Sequence, residues 1–285
     1  MENNMNRRTV LFLMNSDTSD AMISAAAEAA AAQQNHLSCL LLAAAPVLPM
    51  NAYGALPYGG ISVSDNWGEQ LAEAQTRQQE RVDATEALLA RSNVSGDVRS
   101  VICATVDIKR AVSLSARVSD EAVIAANLRD TQEIMREAVY GVLFHSPIGL
   151  RLNGSASQEM GRIFVAWDSS EAAAAAVHAA LPYLKDAQEV VIGCFDPVMT
   201  AEENGQDPGT AVAAWLSHHG CKVTVSQFPS GGRAISRCIQ DRAQEFGADL
   251  VVMGGYGHAR ILEAVFGGTT RSMIEQTDLP VLLAH

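Results

Sequence analysis

Two stretches of this chain repeat one rhythm of apolar and polar positions. Residues 8–45 read RTVLFLMNSDTSDAMISAAAEAAAAQQNHLSCLLLAAA, and residues 162–196 read RIFVAWDSSEAAAAAVHAALPYLKDAQEVVIGCFD. Each is a short apolar run, a polar turn, an alanine-rich stretch and a second apolar run. Apolar runs of this length between turn residues predict strands buried on both faces, as parallel sheets require. The ends echo as well: 122–126 resembles 250–254, and EAVYG at 137–141 resembles EAVFG at 263–267. A repeat of this size signals duplicated domains rather than a solenoid.

In the first copy the pattern predicts strands near 9–14, 37–43, 98–106 and 122–126, and a weak one at 148–152, poor because of its glycine. Helices are predicted near 19–34, 66–92, 108–118 and 132–144. In the second copy strands fall near 162–167, 189–195, 221–226, 249–253 and 280–284, with helices near 171–184, 208–219, 232–246 and 259–276. Strands alternating with helices predict a doubly wound parallel α/β sheet with right-handed crossovers. The polar stretch NGSASQE at 153–159 marks the seam, giving domains 1–155 and 156–285. Residues 46–65, rich in Pro, Gly and Tyr, read as a long loop, either a lid or an interaction surface or, at least as readily, plain cover.

Composition narrows the partners. The net charge of -12 disfavours nucleic acid and anionic membrane, and leaves room for one small anion in a local pocket. Aromatics at 5% and frequent alanine runs favour small-residue helix packing against a sheet. Cys39, Cys103, Cys194, Cys221 and Cys238 form no CxxC pair and read as free thiols in a reducing compartment. MENNMNRR is not signal-like, and no apolar run of about 18 residues follows, so the expected location is the cytoplasm.

The chemistry concentrates at 250–285, where LVVMGG-YGHARILEAVFGGTTRSMIEQTD-LPVLLAH reads strand, glycine loop, helix, strand. Glycines after a buried strand let backbone N–H groups approach an anion, and a helix N-terminus adds a favourable dipole. If the first and fourth strands of the second copy are neighbours, the loop carrying Asp168 and the glycine loop line one crevice. The candidate set is Ala166, Asp168, Gly254, Gly257, His258, Gly267, Gly268, Thr269 and Thr270. Asp168 reads either as a ligand to a base or ribose or as a helix cap. Gly254 and Gly257 read as a phosphate loop or as a tight turn, and Thr269 and Thr270 as phosphate contacts or caps. His258 and Arg260 either approach a phosphate or start a solvated helix. The spacing is neither a P-loop nor a G-x-G-x-x-G fingerprint. His218 and His219 lack partners at metal spacing, and His178 reads as a surface or interhelix residue. No Ser/His/Asp or Cys/His set is legible, which argues against an efficient hydrolase and leaves slow nucleotide hydrolysis open.

On these motifs the chain resembles the universal stress protein family in its tandem form. The carriers are MGGYGHARILEAVFGGTTRSMIEQTDLPVLLAH, close to the family's closing G-x2-G-x9-G signature, and the opening RIFVAWDSSEAAAAA. The resemblance implies two Rossmann-like five-stranded parallel sheets of order 3-2-1-4-5 and an adenine nucleotide, ATP or AMP, with or without Mg2+. It implies that Asp168 contacts the adenosine and that Gly254, Gly257 and Gly267 wrap ribose and phosphates. Gly268 departs from the family's Ser or Thr and loses a hydroxyl, whereas Thr270 matches one. The first copy departs further: Asn15 replaces the aspartate and NLRDTQEIMREAVYG lacks the glycine pair, so it is expected to be a degenerate partner. The family's last strands often pair across a dimer; here 280–284 would pair internally with 148–152, and a further homodimer is compatible. The function implied is a nucleotide-dependent stress-response regulator with unidentified protein partners. A nucleotide-free scaffold and a weak ATPase are the competing readings.

Overall fold

A computed structural model describes residues 7–47, 65–154, 160–197, 207–255 and 268–285. Ten strands alternate with eight helices among them. The first copy contributes β1 (Thr9–Met14), α1 (Asp20–Ala32), β2 (His36–Ala44), α2 (Asp65–Arg91), β3 (Gly96–Cys103), α3 (Ile108–Ala116), β4 (Glu121–Ile124), α4 (Gln132–His145) and β5 (Gly149–Leu152). The second contributes β6 (Arg162–Ala166), α5 (Glu171–Asp186), β7 (Glu189–Phe195), α6 (Thr210–His218), β8 (Val223–Phe228), α7 (Ile235–Phe246), β9 (Leu250–Gly254), α8 (Gly268–Glu275) and β10 (Val281–Ala284). The third strand ends at Cys103 rather than at 106, because 3-10 turns occupy Thr105–Asp107 and, further on, Ala126–Asp130.

Local chemistry sets the helix ends. Ser19 and Ser170 cap α1 and α5, their hydroxyls accepting the N–H groups of Met22 and Ala173 at 3.3 and 3.1 Å. Gly247, at φ 68°, closes α7 with the N–H of Ala248 returning to the carbonyl of Ala243.

The chain divides into two compact units, residues 1–120 with 125–145, and residues 121–124 with 146–285. In the first unit the strands run β3-β2-β1, all parallel. The long helix α2 lays a satisfied polar side chain on them: Gln78 donates to the carbonyls of Leu41 and Val101 at 3.1 and 3.2 Å.

In the second unit the strands run β4-β5-β10-β9-β6-β7-β8. From β10 to β8 this is the expected 3-2-1-4-5 order, and every pair in it is parallel. The exception in the unit is β10 against β5, antiparallel, with Val281 opposite Leu152 and Leu283 opposite Leu150. The internal pairing implied by the resemblance is therefore present. It also explains why β4 and β5, which the repeat assigns to the first copy, cluster with the second unit rather than dividing at 153–159. Gly149 is no weakness: a β-carbon there would sit 3.1 Å from Ala179 and 3.2 Å from Leu282. The glycine lets α5 cross close over the β5–β10 joint.

A buried ion pair locks this joint. Arg151 Nε donates to Glu121 Oε1 at 2.8 Å, and the two side chains are 8% and 2% exposed. The Tyr183 hydroxyl, from α5, donates to the other Glu121 oxygen. Burial opposes the Arg151 charge, but Glu121 beside it holds the guanidinium above its ordinary pKa. Removing one partner strands a buried charge. Arg151→Met is expected to cost about 3–5 kcal/mol in urea denaturation. Adding Glu121→Leu and Tyr183→Phe should recover most of that loss; equal losses in the single and triple variants would refute the pairing's role.

Candidate functional site

The expected neighbours are neighbours. Strand β6 pairs with β9, Ala166 opposite Met253, so the loop bearing Asp168 and the start of the glycine loop leave the sheet side by side. Strand β7 lies on the other side of β6, where Ala166 faces Gly193. This is the point where strand order reverses, and ligands of open α/β sheets sit beyond the carboxyl ends there.

Each described candidate has a definite place. Ala166 is buried, with its backbone in the ladder between β7 and β9. Asp168 is exposed, and its Oδ1 accepts the N–H of Ser170 at 3.0 Å across Ser169, which adopts a left-handed φ of 64°. The helix cap is thus Ser170, and Asp168 braces the turn before it while presenting a charged group at the surface. Gly254 is pressed against the first turn of α5: a β-carbon would lie 2.5 Å from the Ala173 nitrogen and 2.7 Å from the Ala172 carbonyl carbon. Its glycine identity therefore answers to helix–strand packing. Thr269 and Thr270 lie in α8 next to Gly268, its first described residue; Thr270 is buried. Gly268 is exposed, and a β-carbon there meets nothing within 4 Å among the described residues. Gly257, His258, Arg260 and Gly267 lie outside the described residues.

Three contributors were not legible in the sequence. His285 Nδ1 lies 2.8 Å from the carbonyl of Gly255, whose own N–H donates to Ala284, so β10 anchors the first residue after β9. After β7, Asp196 at φ 42° accepts the N–H of Ser230 at 2.9 Å. Hydrogen bonds from the Ser230 side chain and backbone hold the Asp196 carboxyl below the usual carboxylate range. Cys194 is buried, and burial with the negative charge of Asp168 pushes its thiol up to about 11. An acidic residue just past β7, as Asp168 stands just past β6, was the available signal for Asp196. Among the described residues no group of three or more His, Cys, Asp or Glu gathers as a metal site.

A profile of the universal stress protein family matches residues 160–285, the span that holds this crevice. That second copy, residues 160–285, is therefore similar to the universal stress protein family. The universal stress protein Slr1230 of Synechocystis sp. is 35% identical over 92 residues, and the match spans 30% of each chain. A solved structure assigned to the same family, from Pseudomonas aeruginosa UCBPP-PA14, aligns over 98% of this chain and 94% of its own, at TM-score 0.54 and 14% identity. A functionally unknown protein of Pseudomonas aeruginosa PAO1 aligns over 98% and 93% at TM-score 0.51 and 13% identity. At such identities the two structures speak for the fold alone, and they extend it across both copies.

The first copy treats the same position differently. Asn15 follows β1 as Asp168 follows β6, and its Oδ1 accepts the N–H of Asp17 at 3.0 Å in the same kind of turn. Here, though, Asn15 is 5% exposed. Asn127 Nδ2 donates to Asn15 Oδ1 at 2.7 Å, and Thr18 Oγ1 lies 3.0 Å from Asn127 Oδ1. Arg81, from α2, clamps the loop through Asp20 at 2.7 Å and the Thr18 carbonyl. Leu128, in the turn carrying Asn127, is fully buried.

Gly254 gives the sharpest test of this geometry. Gly254→Ala forces backbone apart and is expected to cost about 1–3 kcal/mol. Thermal denaturation checks it, and an unchanged midpoint would mean that α5 is not seated on β9 as described.

Proposed function

We propose that the chain binds one adenine nucleotide, ATP or AMP, at the crevice of the second copy, and that the first copy serves as a degenerate, non-binding partner. The observation that carries the reading is the contrast between the two turns. Asp168 is exposed and charged at a strand-order reversal, whereas Asn15 is buried and engaged by Asn127 and its own loop. A carboxylate accepts hydrogen bonds from ribose hydroxyls or a base amine. Backbone N–H groups at the start of α8, with its dipole, suit phosphate oxygens. In this reading Asp168 holds the adenosine, and Gly254, Gly257, Gly267, Gly268 and Thr269 surround ribose and phosphates, with His258 alongside. Thr270 supports the helix start from its buried position. Any Mg2+ would arrive on the phosphates, since no carboxylate cluster gathers among the described residues. The output is a nucleotide-dependent change in stability or in partner binding.

Calorimetric titration of nucleotide-stripped protein with ATP, ADP and AMP tests the proposal. One site per chain is expected. Asp168→Ala should weaken binding at least about tenfold, in line with a charge-assisted hydrogen bond of roughly 1.5–3 kcal/mol. Gly268→Ser, which meets no packing obstacle among the described residues, should strengthen it by restoring a phosphate-facing hydroxyl. Two equal sites, or none at millimolar nucleotide, would overturn the reading and favour a nucleotide-free scaffold.

A further inference from the structure

In the first unit the parallel register sets Leu37 opposite Gly96, and therefore His36 opposite Ser95 and Ser38 opposite Asp97. Alternation along the strands then puts His36, Ser38, Ser95, Asp97 and Arg99 on one face. Leu37 and Gly96 fall on the other, where a β-carbon on Gly96 would lie 3.0 Å from Leu89 of α2. The polar face is open at this end: the Asp97 side chain is 44% exposed, the His36 side chain 33%, and Ser95 is exposed.

His36 Nδ1 lies 2.9 Å from Ser95 Oγ, and His36 Nε2 lies 3.0 Å from Asp97 Oδ1. One tautomer satisfies both contacts. With the proton on Nε2 donated to the carboxylate, Nδ1 accepts from the Ser95 hydroxyl. Asp97 is itself held, its Oδ2 3.2 Å from Arg99 Nε, and Arg99 Nη2 donates to Ser38 Oγ at 3.1 Å. A hydroxyl bonded to a base that a fixed carboxylate orients is the arrangement that activates a serine nucleophile.

We propose that Ser95, His36 and Asp97 form an acyl-accepting serine site, in which Ser95 Oγ takes the acyl group of an activated ester. Ser95 Oγ bonds to the carbonyl carbon while its proton passes to His36 Nδ1. The carbon–oxygen bond to the leaving group breaks, and the electron pair leaves with the phenolate or similar anion. The imidazolium then returns its proton to water. The products are an acyl-serine, the leaving-group anion and one proton. Activated donors are the substrate class because their leaving groups depart without being protonated. His36 is the base that touches the nucleophile, and Asp97 is a positioning residue.

The test uses p-nitrophenyl acetate on the full chain, read by intact mass and by fragmentation of the labelled peptide. A single acetyl group on Ser95 is expected. General-base assistance is typically worth about 10²–10⁴, so His36→Ala should slow Ser95 acetylation at least about tenfold, and imidazole in the buffer should restore part of the rate. Asp97→Asn should also slow it, with the thermal midpoint showing that the fold persists. Acetylation confined to lysines, or Ser95 labelled equally fast in His36→Ala, would overturn the proposal. An unaltered rate in Asp97→Asn would remove Asp97 from it.

Discussion

The antiparallel contact between β5 and β10 is the constraint on which the second unit depends. Strand β10 is wholly apolar and would be an open sheet edge without a partner. Pairing with β5 covers it with backbone from the same chain. The joint demands a glycine at 149 so that α5 can lie close, and it encloses Glu121 and Arg151 with the Tyr183 hydroxyl on the carboxylate. Such a pair contributes little net stability against an apolar substitute, but one member without the other is costly. What it supplies is register. The strand it fixes ends at Ala284, and Ala284 with the following His285 holds Gly255, the first residue past β9. The joint therefore sets where the glycine loop begins.

The two copies place one kind of turn in two different environments. Asp168 and Asn15 each accept an N–H two residues on, so both serve the local turn. The difference is charge under burial. A carboxylate at the buried Asn15 position would need a compensating cation, whereas a carboxamide both donates and accepts and needs none. Asn127 and Thr18 supply the partners, and Arg81 secures the loop from outside. At 168 the side chain is exposed, where charge costs little.

Many elements were legible because strands such as β7, β9 and β10 are apolar runs between turn residues. The strand at 189–195 and the glycine stop of α7 are local signals. The errors arose where tertiary contact overrides local preference. Gly149 makes 148–152 read as a poor strand until Ala179 and Leu282 are seen against it. The grouping of β4 and β5 with the second unit follows from pairing with β10, which no local pattern states. Of the candidate site, the sequence located Asp168 and Gly254 on adjacent strand ends. It missed His285, whose contact with Gly255 depends on β10 lying beside β9. It missed the Ser95–His36–Asp97 set as well, since about 60 residues separate partners that only the β2–β3 register joins.

The central claim is that one copy presents an open site and the other a self-satisfied one. Amide chemical-shift mapping of 15N-labelled chain with increasing ATP tests it most directly. The account predicts saturable shifts at residues 168–170, 254–255 and 268–270, with residues 15–19 and 126–130 unmoved. Matched shifts in both sets, or shifts confined to the first copy, would contradict it.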